Sequence, residues 1–128
     1  MNSPKAAQSA IFKVLIVDDH AETRRLTRFF LRDSRFEFEE CADGADALDC
    51  YEAFRPDWIL MDWEMKRMNG LTATRRIVEA HPKARILMVT QYDDEELRQA
   101  AAEAGARGFV LKDDLLSLRS LLKEAQTH

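Results

Sequence analysis

The chain has 128 residues, of which 46% are hydrophobic and 33% are charged, and its formal net charge at pH 7 is -4. This length and composition are typical of one globular domain with a sizeable core. The acidic balance argues against a general nucleic-acid-binding protein, which would be basic, and no apolar run approaches the roughly 20 residues that a membrane span needs.

The chain is expected to form a short tail followed by one domain. Residues 1–10 are small and polar and include Pro4, which predicts a flexible N-terminal tail, and residues 11–128 make up the predicted domain. No apolar segment of the signal-peptide kind precedes the first predicted strand, so we expect the protein to be cytoplasmic. Cys41 and Cys50 lack the spacing of metal ligands, which indicates reduced thiols.

Five short apolar runs alternate with five segments of helical length. The predicted strands cover residues 13–17, 36–41, 57–61, 85–89 and 108–111. The predicted helices cover residues 19–33, 45–54, 70–80, 93–104 and 114–125. This alternation predicts an α/β fold, a flavodoxin-like (βα)5 three-layer sandwich with a parallel five-stranded sheet in the order 2-1-3-4-5. The second run alternates Phe with Glu, which places it at a sheet edge with one wet side.

The first predicted helix combines an apolar stripe with a row of arginines. Its buried stripe is expected to contain Leu26, Phe29 and Phe30. Arginines recur at every fourth residue, at Arg24, Arg28 and Arg32. This row is either a solvated face or a docking surface for an acidic partner, and the sequence leaves both interpretations open.

The last two predicted helices differ in how much apolar surface they can bury. The fourth helix has only Leu97 and small alanines to bury, so we expect light packing and mobility. In the last helix, the expected core stripe consists of Leu115, Leu118 and Leu122. Leu116 and Leu121 lie off that stripe and mark either a partner or homodimer contact or scattered surface leucines.

Polar residues stand at the carboxyl ends of four predicted strands. They are Asp18 and Asp19 after the first strand, Asp62 after the third, Thr90 after the fourth and Lys112 after the fifth. Because the carboxyl ends of parallel strands form one crevice, these residues should converge. Three close carboxylates repel one another unless a cation is present, and Mg²⁺ fits because it binds through few carboxylates plus phosphate. With an amine and a hydroxyl alongside, the cluster is typical of phosphoryl transfer, with Asp62 as the nucleophile.

Several motifs, taken together, are specific to one family. They are Asp18-Asp19, the segments 61–65 and 68–71, Val89-Thr90 and the segment 104–112. Over residues 13–125 the chain resembles the receiver domain of bacterial two-component response regulators. The resemblance implies that Asp62 accepts a phosphoryl group from a histidine kinase or a phosphotransfer protein. It also implies that Asp19, Asp62 and the backbone carbonyl of Glu64 hold Mg²⁺ directly, while Asp18 acts through water.

The same resemblance assigns the remaining site residues. Thr90 and Lys112 are expected to contact the phosphoryl oxygens, and Phe109 stands at the position of the switch aromatic, which is coupled to Thr90. The protein would catalyse only its own phosphoryl transfer and its slow dephosphorylation. No enzyme acting on other substrates is therefore expected.

The output is expected to be a contact with a downstream protein rather than with DNA. Phosphorylation would alter the face formed by the fourth helix, the fifth strand and the last helix. Lys112-Asp113 is typical of a branch of the family whose members often carry helix-turn-helix output domains. The sequence ends at His128, however, so we expect a single-domain receiver.

Some positions depart from the family pattern. Lys66 stands where the family usually has Pro, and this difference predicts either a looser loop or one suited to a specific partner. Gln91 follows Thr90 where the family usually has a small residue, and its bulk is expected to restrict access to the site. Glu64 and Tyr92 flank the site at variable positions that tune the phosphate lifetime.

Other functions stay open from the sequence. A phosphatase that passes through an aspartyl-phosphate would need an Asp as general acid where this chain has Glu64. A flavodoxin-like cofactor binder would need a Ser-, Thr- and Gly-rich loop in place of Asp18-Asp19. A degenerate receiver acting as a constitutive scaffold is favoured only by Lys66 and Gln91. His20, after the acidic pair, lies either beside the metal or at a solvated helix start.

Overall fold

Strands and helices alternate along the described part of the chain. The computed structural model describes residues 11–126, so the predicted tail over residues 1–10 lies outside the described residues. The strands are β1 (Phe12–Val17), β2 (Phe36–Cys41), β3 (Trp58–Asp62), β4 (Ile86–Thr90) and β5 (Gly108–Leu111). The helices are α1 (Ala21–Leu31), α2 (Ala47–Phe54), α3 (Gly70–Ala80), α4 (Glu95–Ala104) and α5 (Leu115–Gln126), and a 3₁₀ turn covers Gly44–Asp46. Within residues 11–126, no helix is both long and apolar enough to cross a membrane.

The five strands form one parallel sheet in the order β2-β1-β3-β4-β5. The predicted fold and strand order are confirmed, and β2 lies at an edge, as its alternating pattern predicts. In the centre of the sheet, Val17 of β1 is level with Met61 of β3. The residues that follow them, Asp18 and Asp62, therefore stand side by side at the carboxyl edge.

Each face of the sheet has its own core because alternate strand residues point to opposite sides. The first core, packed against α2, α3 and α4, includes Leu15, Val17, Ile59, Met61 and Met88. The second core, packed against α1 and α5, includes Val14, Ile16, Leu60, Leu87 and Val110. Cys41 belongs to the first core, and both cysteines of the chain are free thiols, as expected.

Helix α1 buries a different face from the one that the sequence predicts. Leu26, Phe29 and Phe30 are 51%, 58% and 40% exposed. Their assignment to the buried stripe is therefore wrong. The buried residues of α1 are Thr27 and Leu31, which lie one helical turn apart.

In this orientation of α1, the arginine row contacts the edge strand and a neighbouring ring. Arg24 Nε lies 2.8 Å from Glu40 Oε1, and Arg28 Nη1 lies 2.7 Å from Oε2 of the same carboxylate. Because Glu40 belongs to β2, the arginine face lies toward the edge strand, and the phenylalanines are left outside. Arg32 lies over the Phe29 ring instead, 4.0 Å from its centroid. The row is therefore neither simply solvated nor wholly available to an acidic partner.

Helix α4 is attached to the sheet by small side chains. Among its described residues, Ala101 and Ala104 are buried, whereas Leu97, which was expected in the core, is only half-buried. The helix ends at Gly105, whose φ of 105° is the left-handed conformation that favours glycine. Light packing of this kind lowers the free energy needed to move α4.

Helix α5 has one buried face and one exposed leucine pair. Leu118 and Leu122 are buried and Leu115 is half-buried, which agrees with the predicted core stripe. Leu116 is 70% exposed, and Leu121 is exposed as well. These two leucines are thus accessible, and their role as a contact stays a prediction.

Candidate functional site

Four polar residues, three of them consecutive in the chain, gather at the carboxyl edge of the sheet. Asp18 follows β1 and is buried, and Asp62 ends β3 with 2% of its surface exposed. Asp19 and His20 come next in the chain, before α1 begins. One potential ligand atom from each of the four residues lies within 4.8 Å of the others. The predicted convergence of the aspartates is therefore observed.

Close packing of α3 against β3 holds Asp62 in position. Gly70, the first residue of α3, lies against the backbone oxygen of Asp62, and a Cβ at residue 70 would collide with that oxygen. The Gly70 N–H donates to the Trp63 carbonyl oxygen at 2.9 Å, and the Trp63 N–H donates to the Val89 carbonyl oxygen, also at 2.9 Å. The backbone on both sides of Asp62 is thus tied to α3 and β4.

The loop between β3 and α3 is tied down without the usual proline. The Lys66 N–H donates to Asp19 Oδ2 at 3.0 Å, which is a hydrogen bond that a proline at this position could not make. Arg67 Nη1 lies 2.6 Å from Asp43 Oδ2. Two contacts therefore join this loop to Asp19 and Asp43, and the looser loop that the missing proline suggests stays a prediction.

The carboxylate of Asp62 has an unusual electrostatic environment. Lys112 Nζ lies 2.8 Å from Asp62 Oδ1 as an ion pair, yet within the described residues neither Asp62 oxygen accepts a hydrogen bond of ordinary geometry. Burial raises the pKa of Asp62 to about 6, although the Lys112 contact acts in the opposite direction, and the nearby Asp18 charge raises it further. For Lys112, burial lowers the pKa, but the contact with Asp62 outweighs it, so the pKa of Lys112 is raised.

This donor set fits a hard divalent cation. Asp62 Oδ2 is buried without a partner in the described part of the chain, while Asp62 Oδ1 has only the Lys112 amine beside it and Asp19 Oδ1 only the His20 imidazole. Buried acceptors of this kind normally find a donor, water or an ion. Carboxylate oxygens clustered at one point are the ligands that Mg²⁺ takes in proteins. The cluster could therefore hold a metal, with Asp18, Asp19 and Asp62 as its acidic ligands.

The side chain of Glu64 enters the site, which the sequence did not predict. Thr90 Oγ1 donates to Glu64 Oε2 at 2.5 Å, and Lys112 Nζ lies 3.6 Å from Glu64 Oε1. One carboxylate thus contacts both groups that the family resemblance assigns to the phosphoryl oxygens. The family resemblance assigned the backbone carbonyl of Glu64 to the metal and placed the residue beside the site as one that tunes the phosphate lifetime, but it did not predict these two contacts. The spacing could have indicated it, because the side chains of residues i and i+2 in an extended segment point the same way. Glu64 follows Asp62 at this spacing.

Thr90 is itself buried, and the remaining predicted residues lie on β5 and directly after β4. Phe109 is half-buried and meets Trp63 edge-on, with 6.4 Å between ring centroids. The Arg98 guanidinium of α4 lies 4.6 Å from the Phe109 centroid, so this ring links the site to α4. The exposed Gln91 donates to the Tyr92 hydroxyl at 3.1 Å.

Comparisons with known proteins agree with this arrangement. The family model described as the response regulator receiver domain matches residues 14–123. The uncharacterised transcriptional regulatory protein YhcZ of Bacillus subtilis is 36% identical over 118 residues, which cover 91% of this chain and 54% of that protein. The transcriptional regulatory protein DegU of Brevibacillus brevis is 36% identical over 104 residues, covering 79% of this chain and 44% of DegU. The chain thus spans about half the length of these two curated relatives.

Solved structures show the same fold over nearly the whole chain. The chemotaxis protein CheY4 of Vibrio cholerae superposes with a TM-score of 0.82 at 30% identity, covering 90% of this chain and 98% of that one. A LuxR-family two-component response regulator from Aurantimonas superposes with a TM-score of 0.78 at 29% identity, covering 89% and 86%. Phosphorylation and Mg²⁺ binding are typical of this family. The chain therefore belongs to the family of response regulator receiver domains.

Proposed function

We propose that the chain is a phosphorylation-switched receiver that accepts a phosphoryl group on Asp62. The observation that carries this proposal is the buried Asp62 carboxylate, which has no hydrogen-bond donor of ordinary geometry and lies 2.8 Å from the Lys112 amine. Phosphoryl transfer depends on positioning the nucleophile and neutralising charge on the phosphoryl oxygens. An acceptor with an amine on one side and a cation-binding acidic pair on the other meets both needs.

The proposed donor is a phosphohistidine of a histidine kinase or a phosphotransfer protein. One Asp62 oxygen attacks phosphorus as the phosphorus–nitrogen bond breaks, the electron pair of that bond stays on nitrogen, and the donor ring, already protonated at its other nitrogen, leaves as neutral imidazole. Asp18, Asp19, Asp62 and the Glu64 backbone carbonyl would hold Mg²⁺, which when bound neutralises charge on the phosphoryl oxygens. Lys112 would neutralise the charge from the opposite side.

The contacts of Glu64 support a mechanism for the switch. Its carboxylate holds Thr90 and lies near Lys112, so phosphoryl oxygens on Asp62 would compete with Glu64 for the same two donors. Thr90 would then turn toward the phosphoryl group, and the Phe109 ring and the lightly packed α4 would follow. The altered surface of α4, β5 and α5 would contact a downstream protein. A receiver unit over residues 11–128 and a cytoplasmic location belong to the same proposal.

The test is labelling by a small phosphodonor. Incubation with acetyl phosphate and Mg²⁺ is expected to add the mass of one phosphoryl group to the wild-type protein, as measured by intact-protein mass spectrometry. Asp62→Asn should gain none, because the amide cannot act as the nucleophile. Asp49→Asn, which changes an exposed aspartate of α2, should label like the wild type. Equal labelling of the Asp62 variant and the wild type would reject the proposal.

The alternatives that the sequence left open have less support. A hydrolase of this kind would need an Asp as general acid where this chain has Glu64, and the carboxylate of Glu64 is engaged by the Thr90 hydroxyl. A flavodoxin-like cofactor would meet the acidic pair at the end of β1, which repels phosphate. The intact acceptor cluster argues against a constitutive scaffold. The labelling experiment distinguishes the two functions, because a scaffold would gain no phosphoryl group on Asp62.

A further inference from the structure

His20 places a nitrogen atom beside the acidic pair. Its side chain is 61% exposed, with Nδ1 3.4 Å from Asp18 Oδ1 and 3.0 Å from Asp19 Oδ1. His20 is also the N-cap residue of α1, yet its side chain makes no capping hydrogen bond. The ring is therefore not committed to the helix, and it faces the proposed cation site.

The distances match the spacing of ligands around one ion. Ligand atoms at about 2.1 Å from an octahedral ion are about 3.0 Å apart along each edge. The separations of the His20 nitrogen from its two carboxylate neighbours, 3.0 and 3.4 Å, are close to that value. The backbone N–H of His20, as distinct from its ring, donates to Asp18 Oδ1 at 2.8 Å, which couples the positions of these two residues.

The opposite side of Asp19 is already occupied, which leaves one oxygen directed to the cluster. The backbone N–H of Lys66 donates to Asp19 Oδ2 at 3.0 Å, while Asp19 Oδ1 is buried with only the His20 nitrogen beside it. Asp62, which is 2% exposed, contributes a further oxygen, Oδ2, with no partner among the described residues. The unpartnered and nearly inaccessible Asp62 Oδ2 therefore points to a ligand in the cluster that Asp18, Asp19, His20 and Asp62 form.

We infer that His20 is a direct nitrogen ligand of the divalent ion, and that the site consequently prefers Mn²⁺ to Mg²⁺. Imidazole nitrogen suits first-row transition ions, whereas a set of oxygen ligands and water suits Mg²⁺. This inference rests on the proposed metal site of Asp18, Asp19 and Asp62, and it adds a ligand and a metal preference to it. Because Asp62 is the proposed acceptor, the ion at this site would be the one present during phosphoryl transfer.

Two measurements on the metal-loaded, unphosphorylated protein test the inference. Pulsed electron paramagnetic resonance of the Mn²⁺ complex should show coupling to an imidazole ¹⁴N nucleus in the wild type and none in His20→Ala. Calorimetric titration should show that His20→Ala binds Mn²⁺ at least about tenfold more weakly, the scale expected when support of a metal site is lost. Its affinity for Mg²⁺ should change less than twofold.

Two further variants separate ligation from indirect effects. His20→Asn keeps a good helix N-cap, so a loss of the nitrogen coupling in this variant cannot come from unfolding of α1. His81→Ala removes a histidine that pairs with Glu52, away from the cluster, and it should keep both the coupling and the affinities.

The outcomes also distinguish this inference from the proposed function. Tight Mn²⁺ binding without ¹⁴N coupling in the wild type would overturn the role of His20 and leave the metal site standing. His20 would then act only by donating a hydrogen bond to Asp19. Failure of all variants and the wild type to bind either ion would overturn the inference together with the proposed metal site.

Discussion

At Asp62 the fold places a carboxylate where an ionised group is costly. The side chain is 2% exposed, and its pKa is raised from 3.8 to about 6, chiefly by burial. The neighbouring amine of Lys112 offsets only part of that cost, and the Asp18 charge adds to it. Such a group is stabilised by anything that brings positive charge to it, which is the requirement for both a cation and a phosphoryl acceptor site.

The Asp62 pKa predicts how stability depends on pH in the absence of divalent ions. The unfolded carboxyl releases its proton near pH 3.8 and the folded one near pH 6, so between these values the folded state binds more protons. The free energy of unfolding should therefore fall as the pH rises through this window and stay lower above it. Each pKa unit corresponds to about 1.4 kcal/mol, so the Asp62 contribution is about 1–3 kcal/mol.

Urea unfolding across this window, with a chelator present, measures the effect. Asp62→Asn should lose this component of the pH dependence, whereas Asp49→Asn, an exposed control, should keep it. The difference between the wild type and Asp62→Asn is the relevant quantity, because other carboxylates titrate in the same range. The same pH dependence in both proteins would show that burial does not shift the pKa of Asp62 as described.

Among the helices, α1 has its apolar side chains on the outside. Phe29 is 58% exposed, whereas Leu31, two residues later, is fully buried against the sheet. In this orientation Arg24 and Arg28 pair with Glu40 of β2 while Leu31 is buried. Helix α1 therefore makes contacts with β2 that could not be foreseen from its own apolar pattern.

Substitutions on α1 test this orientation. Leu31→Ala should lower the free energy of unfolding by about 2–5 kcal/mol, the usual cost of truncating a buried leucine. Phe29→Ala should cost less than about 1 kcal/mol, because it removes only an exposed ring and its contact with Arg32. Denaturant titration of both variants provides the measurement. Similar losses for the two would mean that α1 buries the face originally predicted.

Across the whole molecule, the proposed switch ends at the surface that α4 and α5 present. Leu116 and Leu121 are exposed on α5, and α4 buries only small alanines among its described residues. Trp63, the residue after Asp62, meets the Phe109 ring, and the same ring lies against Arg98 of α4. A change at Asp62 can therefore reach this surface through neighbouring side chains.

Self-association is the predicted consequence at this scale. With beryllofluoride and Mg²⁺ as a phosphoryl mimic, the wild type should shift from monomer to dimer in sedimentation velocity. The reason is that the exposed leucines of α5 would then pack against a second copy of the chain. Leu116→Ser should remain monomeric. Phe29→Ala, which removes an exposed apolar residue from α1 instead, should dimerise like the wild type. An unchanged wild-type monomer with the mimic would reject a homodimer and leave the leucines to another partner or to solvent.

The sequence by itself determined the order of the strands and the convergence of Asp18, Asp19, Asp62, Thr90 and Lys112. Periodic apolar runs specify which segments become buried strands, and parallel topology brings their carboxyl ends to one edge. Both rules act on local pattern and connectivity, so they need no knowledge of side-chain positions. The strand boundaries accordingly differ from the observed ones by only one residue or none.

Only the tertiary structure decided the rotation of α1, the entry of Glu64 between Thr90 and Lys112, and the approach of His20 to the acidic pair. A helix can turn about its axis without changing its sequence pattern, so the buried face depends on contacts with the rest of the molecule, which here include ion pairs with β2. The direction of a side chain at a loop likewise depends on partners far away in the chain. These features arise from contacts between elements, which no local pattern records.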